Sequence, residues 1–189
     1  MRAFIAIELP KNIIELLAKA QEILQESQAD VKWVAKENLH LTLKFIDEIN
    51  EEEKDKIVDI IKTTAHGYPT FKTALHDLGA FPKEKNPRII WAGLDNQEQF
   101  REIAKDLEEK INKLGIPKEE RSFKAHITMG RVKSNKNLNI LSETLSKNAG
   151  LFKNSDTVFE IKKITLFKST LLKDGPLYER LYEVNLKTS

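Results

Sequence analysis

The sequence predicts an α+β fold built on antiparallel sheet, and three observations carry that reading. Short runs of alternating apolar residues outnumber the helical stripes, so strict β-α-β alternation does not fit. Several of these runs follow one another across tight turns, which suit antiparallel neighbours and not parallel ones. Finally, His40-Leu41-Thr42-Leu43 returns as His126-Ile127-Thr128-Met129, 86 residues later, in a strand-like context both times. The echo points to two similar lobes, each giving one strand to a shared site.

Taken in order, Arg2 to Glu8 is a strand closed by Pro10. Asn12 to Gln28 carries Ile13, Leu16, Leu17, Ala20, Ile23 and Leu24 at helical spacing, the stripe of an amphipathic helix. Val31 to Val34 and Leu39 to Ile46 alternate as strands. Glu51 to Ala65 is a second helix, with Ile57, Ile60 and Ile61 on its apolar face. Phe71 to Leu78 and Arg88 to Leu94 form a strand pair around a loop holding Pro82 and Pro87. Gln97 to Leu114 is a third helix, stopped by Gly115 and Pro117. Ala125 to Val132 is a strand and Leu138 to Asn148 a short helix. Two long strands, Phe159 to Leu171 and Leu177 to Leu186, close the chain around a turn at Lys173-Asp174-Gly175-Pro176.

Composition narrows the chemistry. At 189 residues the chain is long enough to bury a core without staples, and it has no cysteine. Disulfide frameworks, thiolate zinc sites and thiol nucleophiles are therefore excluded. No apolar run approaches the roughly 20 residues of a membrane span, and the opening strand has no signal-peptide pattern. A cytoplasmic protein is expected. The net charge of +2 hides an asymmetry: Arg121 to Lys173 holds 11 basic residues against 3 acidic ones. Such a stretch suits a polyanionic partner, although a solvated lysine-rich surface gives the same count.

The two His-x-Thr strands are the strongest signal. Side chains alternate faces along a strand, so His40 and Thr42 share one face while Leu39, Leu41 and Leu43 share the other. His126 and Thr128 likewise oppose Ile127 and Met129. Four His and 11 Thr in the chain lead one to expect roughly 0.2 such triplets by chance, so two in matching contexts favour function over coincidence. Two imidazoles and two hydroxyls across a cleft suit phosphodiester chemistry. One imidazole takes a proton from the attacking oxygen and the other gives one to the leaving oxygen. The hydroxyls donate to the non-bridging oxygens as charge builds there.

These residues resemble the 2H phosphoesterases, specifically the RNA 2′,3′-cyclic phosphodiesterases also called 2′-5′ RNA ligases. The resemblance spans nearly the whole chain. It includes Arg2-Ala3-Phe4-Ile5-Ala6-Ile7, Trp33-Val34, Asn38 to Phe45, Gly79-Ala80-Phe81-Pro82, Pro87 to Trp91, Phe123 to Arg131, Ser169-Thr170-Leu171 and Gly175 to Tyr178. Two positions depart from the family pattern: Asp47 stands where glycine is usual, and Ala125 where proline usually precedes the second histidine. The resemblance implies a single bilobal unit over 1–189, each lobe an antiparallel sheet with helices outside, a cleft between them, and both termini in one lobe. It implies hydrolysis of a terminal 2′,3′-cyclic phosphate to a 2′-phosphate, with 2′-5′ ligation as the counterpart reaction. His40 is then the proton donor and His126 the acceptor, although the near-equivalent motifs cannot themselves say which is which. The implied partner is RNA with a cyclic-phosphate end, tRNA fragments included, with no membrane, metal, cofactor or obligate protein partner.

Neighbouring residues extend the expected site. Lys44, four residues from His40, falls on the cleft face by parity and is a candidate for a phosphate. Arg131 falls on the wrong face, but Gly130 before it is a signal for a bulge that re-aims it. Phe45 and Trp33 are candidates for stacking a base, with burial in the core as the alternative. His66 and His76 have no motif around them, and no glycine-rich phosphate loop exists. Two rival readings remain at this stage: a non-catalytic RNA-binding module using the same cleft, and a 2H enzyme acting on a small cyclic nucleotide.

Overall fold

A computed structural model describes residues 1–153 and 156–188. Its strands are β1 (Arg2–Glu8), β2 (Val31–Trp33), β3 (His40–Glu48), β4 (Phe71–Lys83), β5 (Asn86–Leu94), β6 (His126–Val132), β7 (Val158–Ile161), β8 (Lys163–Leu172) and β9 (Gly175–Asn185). The helices are α1 (Lys11–Gln25), α2 (Glu51–Gly67), α3 (Gln97–Asn112) and α4 (Leu138–Lys147), with a 3-10 turn at Lys36–Asn38. The strand order is β7-β4-β5-β6-β3-β1-β8-β9, with β2 added to β6. Every paired strand is antiparallel.

The order divides at its centre. β3, β1, β8 and β9 make one half, and β7, β4, β5, β6 and β2 the other. Only Leu41 and Ile127 pair across the seam between β3 and β6. The first and last strands both lie in the β3 half, as the resemblance implies. The helices cross the seam that the sheet barely closes: α3, which follows β5 in the chain, packs on β3 and α2, while α1 packs on α4. One face of the sheet meets these helices and is predominantly apolar, with Ile5, Leu41, Ile90 and Ile127 at 0 % exposure. The opposite face is the open one. α2 starts with a capping box in which Asn50 and Glu53 bond each other's backbone N–H.

Two expectations about strands need correction. The predicted strand from Phe159 to Leu171 is two strands: β7 pairs with β4 in one half, and β8 pairs with β1 in the other. The chain changes halves at Lys162. The loop expected between Leu78 and Arg88 is instead a continuation of β4 and β5 to a tight turn, with Pro82 opposite Pro87 after a register shift. Prolines facing each other need no ladder N–H, so the hairpin extends past them.

Two bulges decide which side chains reach the open face. In β3, Ala6 pairs with Thr42 but Ile5 with Lys44, leaving Leu43 as the extra residue. A bulge reverses parity beyond it. In β6, Trp91 pairs with Thr128 but Ile90 with Gly130, leaving Met129 as the extra residue. The two lobes therefore carry the same device three residues after each histidine. β3 has a second shift near Asp47, whose φ of 71° lies in the left-handed region. That geometry explains why glycine suits this position, and Asp is among the residues that tolerate it.

Candidate active site

Pairing Leu41 with Ile127 settles where the motif side chains go. One residue to either side, the antiparallel sense sets His40 towards Thr128 and Thr42 towards His126, all on the open face. The two histidines are then diagonal neighbours, a relation in which residues lie about 7–8 Å apart and their Cβ atoms somewhat closer. Each imidazole feels the site's charge: His126 is among the groups that lower the pKa of His40.

Both rings hang from the same backbone device. His40 Nδ1 lies 2.6 Å from the Asn38 carbonyl oxygen, and His126 Nδ1 lies 2.7 Å from that of Lys124. A carbonyl only accepts, so both Nδ1 atoms carry hydrogen and both Nε2 atoms are left for chemistry. His40 Nε2 is 2.9 Å from Thr42 Oγ1. His126 Nε2 has no hydrogen-bond partner among the described residues. Burial pushes both imidazoles below their ordinary pKa of 6.5. For His126 the positive charges of Lys124 and Arg131 push further in the same direction.

Aromatic rings fix the orientation of each imidazole. His40 packs against Phe4, centroids 5.0 Å apart, and meets Tyr178 edge-on at 5.4 Å. His126 meets Phe81 edge-on at 5.2 Å. Phe81 in turn neighbours Trp91, and Lys124 lies over the Trp91 ring at 4.5 Å. Trp91 covers Gly79, where any Cβ would collide with the indole. The position before His126 is also pinned: Gln97 accepts from the Ala125 N–H and donates to the Ala125 carbonyl.

The flanking expectations divide. Arg131 is exposed, lies beyond the Met129 bulge, and makes no ion pair among the described residues; its charge is felt at His126 and, across the cleft, at Tyr178. Phe45 is 61 % exposed on the open face, beside Phe4. Lys44 is a correction. The Leu43 bulge turns it to the helix face, where it is buried, 2.7 Å from Glu108 and donating to the Pro117 carbonyl. Trp33 is a second correction: it sits opposite Gly130 and packs its ring against that glycine and the core, on the helix face. Phe4, Phe81, Lys124 and Tyr178 border the histidines without having been singled out; each lies inside a segment that carried the family resemblance. The basic stretch does not form one surface. Its basic residues fall on β6, α4, β8 and the segments between elements across both halves, and Lys162, Lys163 and Lys168 pair with Glu160, Glu183 and Glu179. His76 neighbours Asp77 and Asp95, but no group of three metal-ligating side chains occurs among the described residues.

Two strands of one curled antiparallel sheet, each presenting a histidine and a threonine into one cleft, define a 2H-type phosphoesterase. The chain belongs to the LigT-like phosphoesterase family, whose model matches residues 7–91 and 93–178. It is 41% identical over 184 residues to the RNA 2′,3′-cyclic phosphodiesterase of Methanocaldococcus jannaschii, covering 97% of this chain and 99% of that one. The protein of the same name from Archaeoglobus fulgidus is 33% identical, with 96% and 98% covered. Among solved structures, TT0787 of Thermus thermophilus superposes with a TM-score of 0.81 at 26% identity, covering 100% of this chain and 99% of that one. E. coli LigT, at 24% identity and a TM-score of 0.77, shares the fold.

Proposed function

We propose that this enzyme hydrolyses the 2′,3′-cyclic phosphate at an RNA end to a 2′-phosphate, using its two imidazoles as acid and base. The observation that carries the reading is the Leu41–Ile127 pair, which brings both His-x-Thr faces to one place. The names of the relatives support the substrate class.

In the reaction, water attacks phosphorus and its oxygen–phosphorus bond forms as the bond from phosphorus to the 3′-oxygen breaks. His126 Nε2 takes the water proton and His40 Nε2 gives one to the departing 3′-oxygen. Free Nε2 and positive neighbours that favour the neutral ring fit His126 to the base role. Thr42 and Thr128 donate to the non-bridging oxygens, and Arg131 offsets their charge. With an RNA 5′-hydroxyl in place of water the same displacement makes a 2′-5′ linkage. Phe45 stacks a base of the RNA body.

Incubation with 2′,3′-cyclic nucleotides and a cyclic-phosphate-ended oligonucleotide tests this. A 2′-phosphate product, formed undiminished in excess EDTA, is expected. A 3′-phosphate product, no turnover, or loss in EDTA that one divalent ion restores overturns the reading.

A further inference from the structure

We infer that the cavity beside His40 is the pocket for the base of the terminal nucleotide, and that it favours guanine. The inference rests on the proposed activity. In-line displacement sets the attacking water opposite the departing 3′-oxygen. With water at His126 and the 3′-oxygen at His40, the ribose lies on the His40 side, because it carries the oxygen that leaves. Its base must project from that side too.

A cavity of about 440 Å³ opens there, with His40 in its wall, within the roughly 300–1,000 Å³ usual for small-molecule sites. One wall is aromatic: Phe4 and Phe167 stack at 5.3 Å, and Tyr178 meets Phe4 edge-on at 4.8 Å. Such a wall suits the flat face of a base. Charge excludes the other part of RNA, its phosphate. Glu8 is neutralised by Arg180, 2.9 Å from its Nε, and accepts from Thr165. Glu37 lines the cavity and makes no hydrogen bond or ion pair among the described residues. An unpaired carboxylate repels phosphate and attracts a neutral group rich in N–H. Asn38 adds a second acceptor, because its amide nitrogen is already given to the Pro176 carbonyl and its oxygen is left over. Guanine alone among the bases presents a ring N–H beside an amino group on one edge, the arrangement a carboxylate binds with two bonds.

The test compares 2′,3′-cyclic mononucleotides with 1-O-methylribose 2′,3′-cyclic phosphate, which has the reacting group and no base. For the wild type, kcat/KM is expected to be about 10- to 100-fold higher with the nucleotides, and guanosine to exceed uridine by about tenfold. Ile14 lines the cavity from α1, so Ile14→Trp, which fills that space, should abolish the nucleotide advantage and leave the baseless substrate untouched. Glu37→Gln, on an exposed turn where folding is not at stake, should reduce the guanosine-to-uridine ratio without altering turnover of the baseless compound. Equal use of both substrate types by the wild type, or full nucleotide preference in folded Ile14→Trp, overturns the pocket. A guanosine-to-uridine ratio near one in the wild type, or one unchanged in Glu37→Gln, overturns its selectivity for guanine. Turnover of neither substrate overturns the activity itself, and the pocket with it.

Discussion

His40 and His126 hang from the same device, each Nδ1 tied to the carbonyl two residues back, yet their surroundings differ. His40 sits between Phe4 and Tyr178, with Nε2 bonded to Thr42. His126 touches one ring, Phe81, and has two cations nearby. Backbone symmetry supplies two equivalently held imidazoles, and in the proposed mechanism the differing side chains around them give each one a separate proton task. What distinguishes acid from base is therefore outside the repeated motif.

The largest expected effects come from the imidazoles. His40→Ala and His126→Ala should each lower kcat by roughly 10²–10⁴. The double variant should lose far less than the product of the two, since the pair acts as a unit. Wild-type kcat in either single variant, with purity checked, removes that residue from the chemistry.

Next comes the pair of threonines, where the comparison is sharpest. Thr42 both donates its one hydroxyl hydrogen to the phosphate and accepts from the protonated Nε2 of His40, so Thr42→Ala should cost about tenfold in kcat. Thr128 lacks the second task, and Thr128→Ala should cost less. Losing an acceptor for the protonated ring lowers the pKa of His40, so the alkaline limb of the pH–rate profile should move down in Thr42→Ala alone. Equal losses with unmoved limbs mean that the two motifs work identically.

The profile of the unaltered enzyme follows from the directions of the two shifts. One ring must be protonated and the other neutral, and burial lowers both pKa values below 6.5. Activity in kcat/KM falls on the acid side as the base gains its proton, and on the alkaline side as the acid loses its own. The bell should thus centre below about pH 6.5, its limbs belonging to the coupled pair. An optimum well above pH 7 contradicts the burial of the free site.

Smallest is Lys124→Ala. Removing that charge lets the His126 pKa rise, moving the acid limb up, with a change in kcat/KM of about threefold or less. A shift downward means that Lys124 reaches His126 in some other way.

The sequence made the motif faces legible because alternation holds without interruption from Leu39 to Leu43 and from Ala125 to Met129. Beyond those points it failed or succeeded on one signal. Gly130 marked the β6 bulge and so turned Arg131 correctly towards the open face. The matching bulge in β3 has no glycine, and counting straight through it put Lys44 in the cleft. The pattern did hold a warning: Phe45 and Ile46 are adjacent apolar residues, and Asp47 occupies a position that favours glycine. A similar break, with Ile161 and Ile164 three apart, marks where the long predicted strand divides. The rings of Tyr178 and Phe4 beside His40 come from strands far apart in the chain, and no spacing rule joins them.

The single backbone pair at the seam has a consequence for how this protein can be taken apart. The chemistry repeats, yet the halves are not interchangeable modules, because α3 leaves the β5 half to cover β3 and α1 reaches across to α4. Cutting the chain between Leu94 and Gln97 would strand Phe100, Ile103, Leu107 and Ile111, all within 1 % of full burial, away from the strand they cover. Neither fragment keeps a complete coat over its sheet. Amide protons in β3 and β6 should consequently exchange together, in one opening event, although almost no ladder bonds join them.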